Sequence, residues 1–348
     1  METVLVTGGS GFVGSWCVVE LLRRGYAVRT TVRSRSREAA VRAALAPEID
    51  SDDALSIFEA DLTADDGWGA AVDGCDYVLH VASPFPPESP KDPDELIVPA
   101  RDGALRVIGA ALDAGVRRVV MTSSTASVAG HHGTDGRPLT EDDWTDPEDP
   151  SIRPYVRSKV IAERAAWDLA AGRDARDRLA TVLPGAVLGP VLSGDFSYSV
   201  QLIERLMNRS MPGVPRLGYA IVDVRDVADL HIRAMTAPEA GGERFLATGP
   251  FLWMSEVAQI LRDRLGPAGS RVPTRRIPSF MVRGAALFDP GLRQVVGDLG
   301  REIAYSNEKP RQRLGWSPRP VEETIVDCAN SLIAHGVVRV DGAAPVPA

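Results

Sequence analysis

The chain has 348 residues, 44% of them apolar and 25% charged, with a formal net charge of −8. That length suits one large domain carrying a smaller one, and the ordinary globular balance excludes a chain too polar to bury a core. The acidic surplus leaves no basic footprint for nucleic acid, and no stretch reaches the roughly 18 apolar residues of a bilayer span.

Met1 and Glu2 run directly into the strand-like Thr3–Thr7, without a charged-then-apolar leader, so a cytoplasmic location is expected. Cys17, Cys75 and Cys328 are scattered with no paired spacing, which suits a reducing compartment and predicts neither a disulfide framework nor a metal knuckle. In chain order, short apolar, β-branched runs, several of them near-continuous, predict strands at Val4–Thr7, Ala27–Val32, Leu55–Ala60, Tyr77–Ala82, Val119–Ser123 and Ala180–Leu183. Helical spacing predicts helices at Phe12–Arg24, Arg37–Ala46, Glu95–Ala114 and Tyr155–Ala171, with Gly25 and Gly115 where helix ends favour a left-handed residue. Strand–helix alternation of this kind predicts an α/β fold with a doubly wound parallel sheet, the Rossmann arrangement.

After Pro184 the texture changes to Pro, Arg and irregular spacing. Residues 1–189, with 220–248 returning to them, are read as the nucleotide-binding domain. Residues 190–219 and 249–340 are read as a smaller, discontiguous substrate domain, closing over the carboxyl edge of the sheet. Residues 341–348 read as a loose tail, and Gly130–Pro150 as a long loop, a class that is usually functional.

The first strand ends in Thr7-Gly8-Gly9-Ser10-Gly11-Phe12-Val13-Gly14 and opens directly into a helix. Glycine permits the tight turn and the close approach of backbone to a pyrophosphate, and the helix N-terminus favours the phosphate charge. A site for NAD usually places an acid after the second strand. Here Thr31-Val32 is followed by Arg33, Ser34, Arg35, Ser36 and Arg37, and guanidinium groups suit a 2′-phosphate, so NADP(H) is the expected cofactor. A solvated basic loop is the plainer alternative. Asp61, ending the third strand with Leu62 after it, can accept from an adenine amino group or simply close a turn. His80-Val81-Ala82-Ser83-Pro84 ends the fourth strand with small residues that let backbone pass near a nicotinamide ribose; His80 itself reads as a core histidine.

Tyr155 and Lys159 share one helical face, with Pro154 at a first-turn position. Carbonyl reduction needs a hydride on carbon and a proton on oxygen. A phenol with an ordinary pKa near ~10 is a sluggish acid, and a nearby ammonium moves it into a workable range. The same ammonium can hold ribose hydroxyls. Thr122-Ser123-Ser124 ends the fifth strand, where a serine hydroxyl can donate to the substrate oxygen.

The motifs TGGSGFVGSW (7–16), TTVRS (30–34), ADL (60–62), HVASP (80–84), RVVMTSS (118–124), YVRSK (155–159), PGAVLGP (184–190) and LGWSPRP (314–320) resemble the extended short-chain dehydrogenase/reductases of the epimerase/dehydratase superfamily. Within it they are most similar to the dihydroflavonol reductase, cinnamoyl-CoA reductase and bacterial aldehyde/ketone reductase group. The resemblance implies Ser124 as the catalytic serine, Tyr155 as acid and Lys159 as support. It implies cofactor contacts from Gly8, Gly11, Phe12, Val13, Gly14, Asp61, Leu62, Val81, Ala82 and Ser83. It also implies that Pro184, Gly185 and Val187 line the nicotinamide and that Arg33 and Arg37 face the 2′-phosphate. The chain departs from the plant members at Asp102, where they carry asparagine, which leaves a proton relay through that position open. Adjacent His131 and His132 point apart and lack a spaced carboxylate, so no metal is expected.

The expected function is therefore an NADPH-dependent reductase of ketones or aldehydes, acting on a small carbonyl substrate as a monomer or homodimer. A nucleotide-sugar epimerase or dehydratase using NAD is the first alternative; Arg33 in place of an acid, and Thr125-Ala126 in place of an acidic pair, weigh against it. A non-catalytic NADPH-binding protein is the second, and retention of both Tyr155 and Lys159 weighs against that.

Overall fold

The computed structural model describes residues 1–50, 53–84, 92–130, 136–194, 196–288 and 295–339. The chain divides into two compact units. The first comprises Met1–Pro184, Arg225–Ala247 and Ser306–Ser317, and the second Gly185–Val224, Thr248–Tyr305 and Pro318–Ala348. Residues 185–189, 220–224 and Thr248 pack in the second unit rather than the first, and Ser306–Ser317 packs in the first rather than the second. Trp316 shows what holds Ser306–Ser317 there: it is 1% exposed and its indole N–H donates to the Asp226 carbonyl (2.9 Å) inside the first unit.

The first unit is built on a seven-stranded sheet. Its strands are β1 (Thr3–Val6), β2 (Ala27–Val32), β3 (Leu55–Glu59), β4 (Tyr77–His80), β5 (Arg118–Thr122), β6 (Leu179–Pro184) and, from later in the chain, Arg244–Ala247. Three short strands come between, so Arg244–Ala247 is β10; β7 (Ala186–Leu188), β8 (Val214–Pro215) and β9 (Gly218–Asp223) belong to the second unit. The order is β10-β6-β5-β4-β1-β2-β3, with every neighbouring pair parallel. The order reverses between β1 and β4, which is where ligands of such sheets bind, at the carboxyl ends. β4, β6 and β10 are buried at every residue, as expected of strands covered on both faces.

The helices in chain order are α1 (Phe12–Arg23), α2 (Glu38–Leu45), α3 (Trp68–Val72), α4 (Asp94–Asp113), α5 (Ala126–Ala129), α6 (Pro154–Gly172), α7 (Tyr198–Met207), α8 (Val224–Thr236), α9 (Met254–Arg264), α10 (Ser279–Ala285), α11 (Glu308–Leu314) and α12 (Val321–Ala334). α4 and α6 are neighbours. Ala100, Ala104 and Ala111 on one, and Ala162, Ala166 and Ala170 on the other, belong to a single buried cluster with Leu5, Val78, Val119 and Leu179 of the sheet. Alanine at helical spacing lets two helix backbones approach, which holds α6 close and fixes where its first turns sit. α1 and α4 each close on a left-handed glycine, Gly25 (φ +81°) and Gly115 (φ +76°).

The second unit holds β7, β9 and β11 (Phe251–Trp253), with β9 parallel to β7 and antiparallel to β11. It also holds a two-stranded pair, β8 with β12 (Arg276–Ile277). Among the described residues no helix is long and apolar enough to cross a membrane. The tail 341–348 and the pair His131–His132 lie outside the described residues.

Candidate active site

The glycine turn is dictated by space. Gly8 has φ +73°, and a Cβ on Gly14 would stand 2.3 Å from the Gly8 carbonyl oxygen. A Cβ on Gly9 would stand 2.0 Å from Thr30 Oγ1. Gly11 N–H donates to Gly8 O (2.9 Å) and closes the turn. α1 then begins with no side-chain cap and no acid in its first turn, so the N–H groups around Phe12 and Val13 keep their partial positive charge. This cradle fits a pyrophosphate.

Thr7 ties the turn to the end of β4. Its hydroxyl accepts from Val81 N and Ala82 N (both 3.0 Å), so its proton goes to His80 Nδ1 (3.0 Å), leaving the ring proton on Nε2. His80 is 3% exposed, and burial, helped by the Lys159 charge, pushes its pKa down to about 3. It is the neutral core histidine that its apolar strand predicts. Neither the hub role of Thr7 nor its partners are visible in the motif itself.

Arg33 and Arg37 are exposed after β2. Ser34 opens the single turn Arg35–Arg37, and Glu59 at the end of β3 accepts from Arg35 N (2.8 Å). Asp61 Oδ1 accepts from both the N–H and the hydroxyl of Thr63 (2.8 and 2.6 Å). Those bonds and, more weakly, the Arg33 charge hold its carboxyl below the usual range. The turn reading of Asp61 is thus satisfied through one oxygen. Leu62 packs against α4 at Gly103, where a Cβ would meet it at 2.8 Å. Asp102, beside it on α4, accepts from Arg101 Nε (2.7 Å).

α6 begins at Pro154 and carries Tyr155 and Lys159 on its first turns. Lys159 is 8% exposed; its Nζ donates to Ser83 Oγ (3.0 Å) and lies 5.7 Å from the centre of the Tyr155 ring. The ammonium thus lies beside the Tyr155 ring and is bonded to the loop after β4. At the end of β5 the two serines differ. Ser123 is 4% exposed and donates to the Glu163 carboxylate (2.6 Å), whereas Ser124 is half-buried and its Oγ accepts from Ala126 N (3.1 Å). Pro184 ends β6 and its carbonyl accepts from Thr125 N (3.0 Å). Gly185 and Val187 follow in the second unit, where a Cβ on Gly185 would stand 2.3 Å from the Ala220 carbonyl oxygen.

The sequence reading missed Glu163. It lies one helical turn beyond Lys159 and two beyond Tyr155, a spacing that was legible, but a helical glutamate usually faces water. Here it is fully buried.

The sequence model of one family matches residues 4–247, and its description is the NAD dependent epimerase/dehydratase family. The chain belongs to that family. Within it, the chain is 39% identical over 267 residues to cinnamoyl-CoA reductase 1 of Oryza sativa subsp. japonica, covering 75% of each chain. It is 36% identical over 281 residues to an anthocyanidin reductase of Vitis vinifera, covering 76% of this chain and 81% of that one. Among solved structures, yeast methylglyoxal/isovaleraldehyde reductase Gre2 complexed with NADPH superposes with a TM-score of 0.80 at 25% identity, over 97% of this chain and all of that one (100%).

For this member of the epimerase/dehydratase family the glycine turn yields a direct expectation. Gly14→Ala puts a methyl against backbone, which cannot swing aside, so a loss of about 1–3 kcal/mol in stability and a weakened hold on the dinucleotide are expected. Thermal unfolding and a fluorescence titration with the dinucleotide read both. Unchanged values would show that the Gly8 carbonyl moves freely.

Proposed function

We propose that this protein reduces ketones or aldehydes to alcohols with NADPH. The observation that carries the reading is Lys159, which donates to Ser83 and lies beside the Tyr155 ring, in the same unit as a turn shaped for a dinucleotide. Relatives named as reductases, and a neighbour complexed with NADPH, support it. The residues fit the cofactor: the Gly8–Gly14 turn keeps a fold that side chains would disrupt, and it leads into a helix N-terminus with no side-chain cap and no acid, which suits a pyrophosphate. When bound, NADPH supplies the hydride. Tyr155 gives its proton to the carbonyl oxygen, and Ser124 donates a hydrogen bond to that oxygen as charge develops. Lys159 stabilises the oxygen that Tyr155 is left with and holds the ribose side of the site. Ser123 is committed to Glu163, which leaves Ser124 as the hydroxyl of the pair free to serve substrate. Following NADPH absorbance with aryl ketones, β-keto esters and aldehydes tests the reading; no oxidation with any of them would overturn it.

Cofactor choice follows from Arg33 and Arg37, which are exposed where a ribose-reading acid would otherwise sit. A charge-assisted contact to phosphate contributes about 1.5–3 kcal/mol, or roughly one to two decades in affinity. The wild type should favour NADPH over NADH by at least about tenfold in kcat/KM on that basis. Arg33→Asp should reverse much of the preference, because it removes an attraction and adds a repulsion. High salt should erode it too, since exposed charges are screened. A wild-type preference for NADH would overturn this reading of the loop.

A further inference from the structure

We propose that Glu163 is a positioning residue that sets Ser124 in register with Tyr155 and Lys159; the proposal rests on the roles given to those three residues above. Glu163 shares α6 with Tyr155 and Lys159, at successive intervals of four residues. Its carboxylate is fully buried and gathers donors from four other elements of the first unit. Oε2 accepts from Ser123 Oγ (2.6 Å), from Ser127 Oγ (2.7 Å) and from Arg244 Nη2 (3.2 Å). Oε1 accepts from Thr181 Oγ1 (2.8 Å) and Arg244 Nε (2.8 Å). The end of β5, α5, β6 and β10 are thereby all tied to α6 at one point.

The serines give the point its meaning. Ser123 and Ser127 bracket Ser124, and Ser127 N–H donates to the Ser124 carbonyl (3.0 Å). The Ser127 hydroxyl lies within reach of both that carbonyl (2.8 Å) and the Glu163 carboxylate (2.7 Å). The backbone of Ser124 is therefore gripped from both sides by groups that answer to Glu163. Burial works against the charge on Glu163, but the adjacent Arg244 guanidinium and the hydrogen bonds of Arg244, Ser123 and Ser127 outweigh it, and its pKa lies below the ordinary value. Only the ionised form accepts from all these donors at once. Arg244 is itself fixed by the carbonyls of Glu141 (2.6 Å) and Asp143 (2.9 Å) and stacks on Trp144 (3.6 Å), so the anchor cannot drift. A pair that served folding alone would need Arg244 but not the two serines.

A double-mutant cycle separates the two roles. Glu163→Gln keeps the shape and removes the charge. In the wild-type background kcat should fall by about 10- to 100-fold, while KM for NADPH and for the carbonyl substrate stays within about threefold. In a Ser124→Ala background the same substitution should cost little further, because the group that Glu163 positions is already gone. Activities are compared well below the unfolding temperature of each variant, with circular dichroism confirming the fold. If Glu163→Gln does not fold, Ser123→Ala and Ser127→Ala keep the Arg244–Glu163 pair and carry the same cycle. Equal losses of kcat in both backgrounds, or a raised KM for NADPH with kcat unchanged, would overturn the role of Glu163 alone. Wild-type turnover in Ser124→Ala by itself would instead overturn the reading of Ser124, and the route proposed for Glu163 with it.

Discussion

Tyr155→Phe is expected to lower kcat by at least ~10²–10⁴ while leaving the affinity for NADPH unchanged. The substitution removes the proton donor and keeps the ring, so the packing at the start of α6 and the Lys159 ammonium 5.7 Å from the ring centre are retained. Lys159→Ala should behave differently. It removes the donor to Ser83 Oγ as well as the charge beside the phenol, so both turnover and NADPH binding should weaken. A titration of NADPH against the two variants, beside their turnover, makes the distinction. Retention of more than about a tenth of wild-type turnover by the phenylalanine variant would remove Tyr155 from the proton-donor role, given the usual size of such effects. Wild-type NADPH binding in both variants would remove Lys159 from the ribose.

Mild acid should destabilise the protein strongly, by about 4 kcal/mol between pH 7 and pH 5. The cause is two fully buried neutral histidines. His80 is held down at about 3 by burial and by Lys159. His231 is held down at about 4 by burial, against the opposing effect of the Val227 carbonyl. His231 Nδ1–H donates to that carbonyl (2.8 Å), so Nε2 accepts from Thr122 Oγ1 (2.7 Å) and the ring has no need of a second proton. In the unfolded chain both rings titrate near 6.5. Below that pH the unfolded state binds up to two more protons than the fold, and stability falls by up to about 2.7 kcal/mol per pH unit. Stability is thus fully present above about pH 6.5 and is lost as pH drops toward the folded values. Glu141, raised by burial, binds its proton more readily in the fold and so lessens the loss at the acid end. Glu163, held low, adds to the loss only below the ordinary carboxylate range. Urea unfolding at pH 7, 6 and 5 reads the slope, and His231→Gln should remove about half of it. A stability that stays flat across this range would mean that both rings are charged in the fold, and an unchanged slope in the variant would mean that His231 is.

The first six strands and four of the six helices between them (α1, α2, α4 and α6) are legible to within a residue or two, whereas α3 and α5, at five and four residues, are too short to show a helical period. Strands covered on both faces must be apolar throughout, and helices that pack on them must repeat their apolar residues at helical spacing. β10 was not legible. Its four residues begin with Arg244, a charge that hides a strand buried at every position until Glu163 is known to meet it. Apart from β9, the strands of the second unit are two or three residues long, too short to show a period. In the candidate site, each motif that sits at one strand end could be read where it stood. The links between motifs could not. Thr7 to the β4 loop spans 74 residues or more, and Glu163 to Arg244 spans 81. No local pattern announces a partner so far along the chain.

The closing indole of Trp316 has a consequence for synthesis on the ribosome. The first unit takes in Arg225–Ala247 and then Ser306–Ser317, so its outermost strand and its last buried ring are translated long after the glycine turn has emerged. Until then the carbonyl of Asp226 waits without the indole donor, and the carboxylate of Glu163 waits for its guanidinium until residue 244. A nascent chain arrested before residue 244 would therefore lack the strand at one edge of the sheet, and one arrested between there and residue 316 would have the strand but still lack the indole that donates to Asp226.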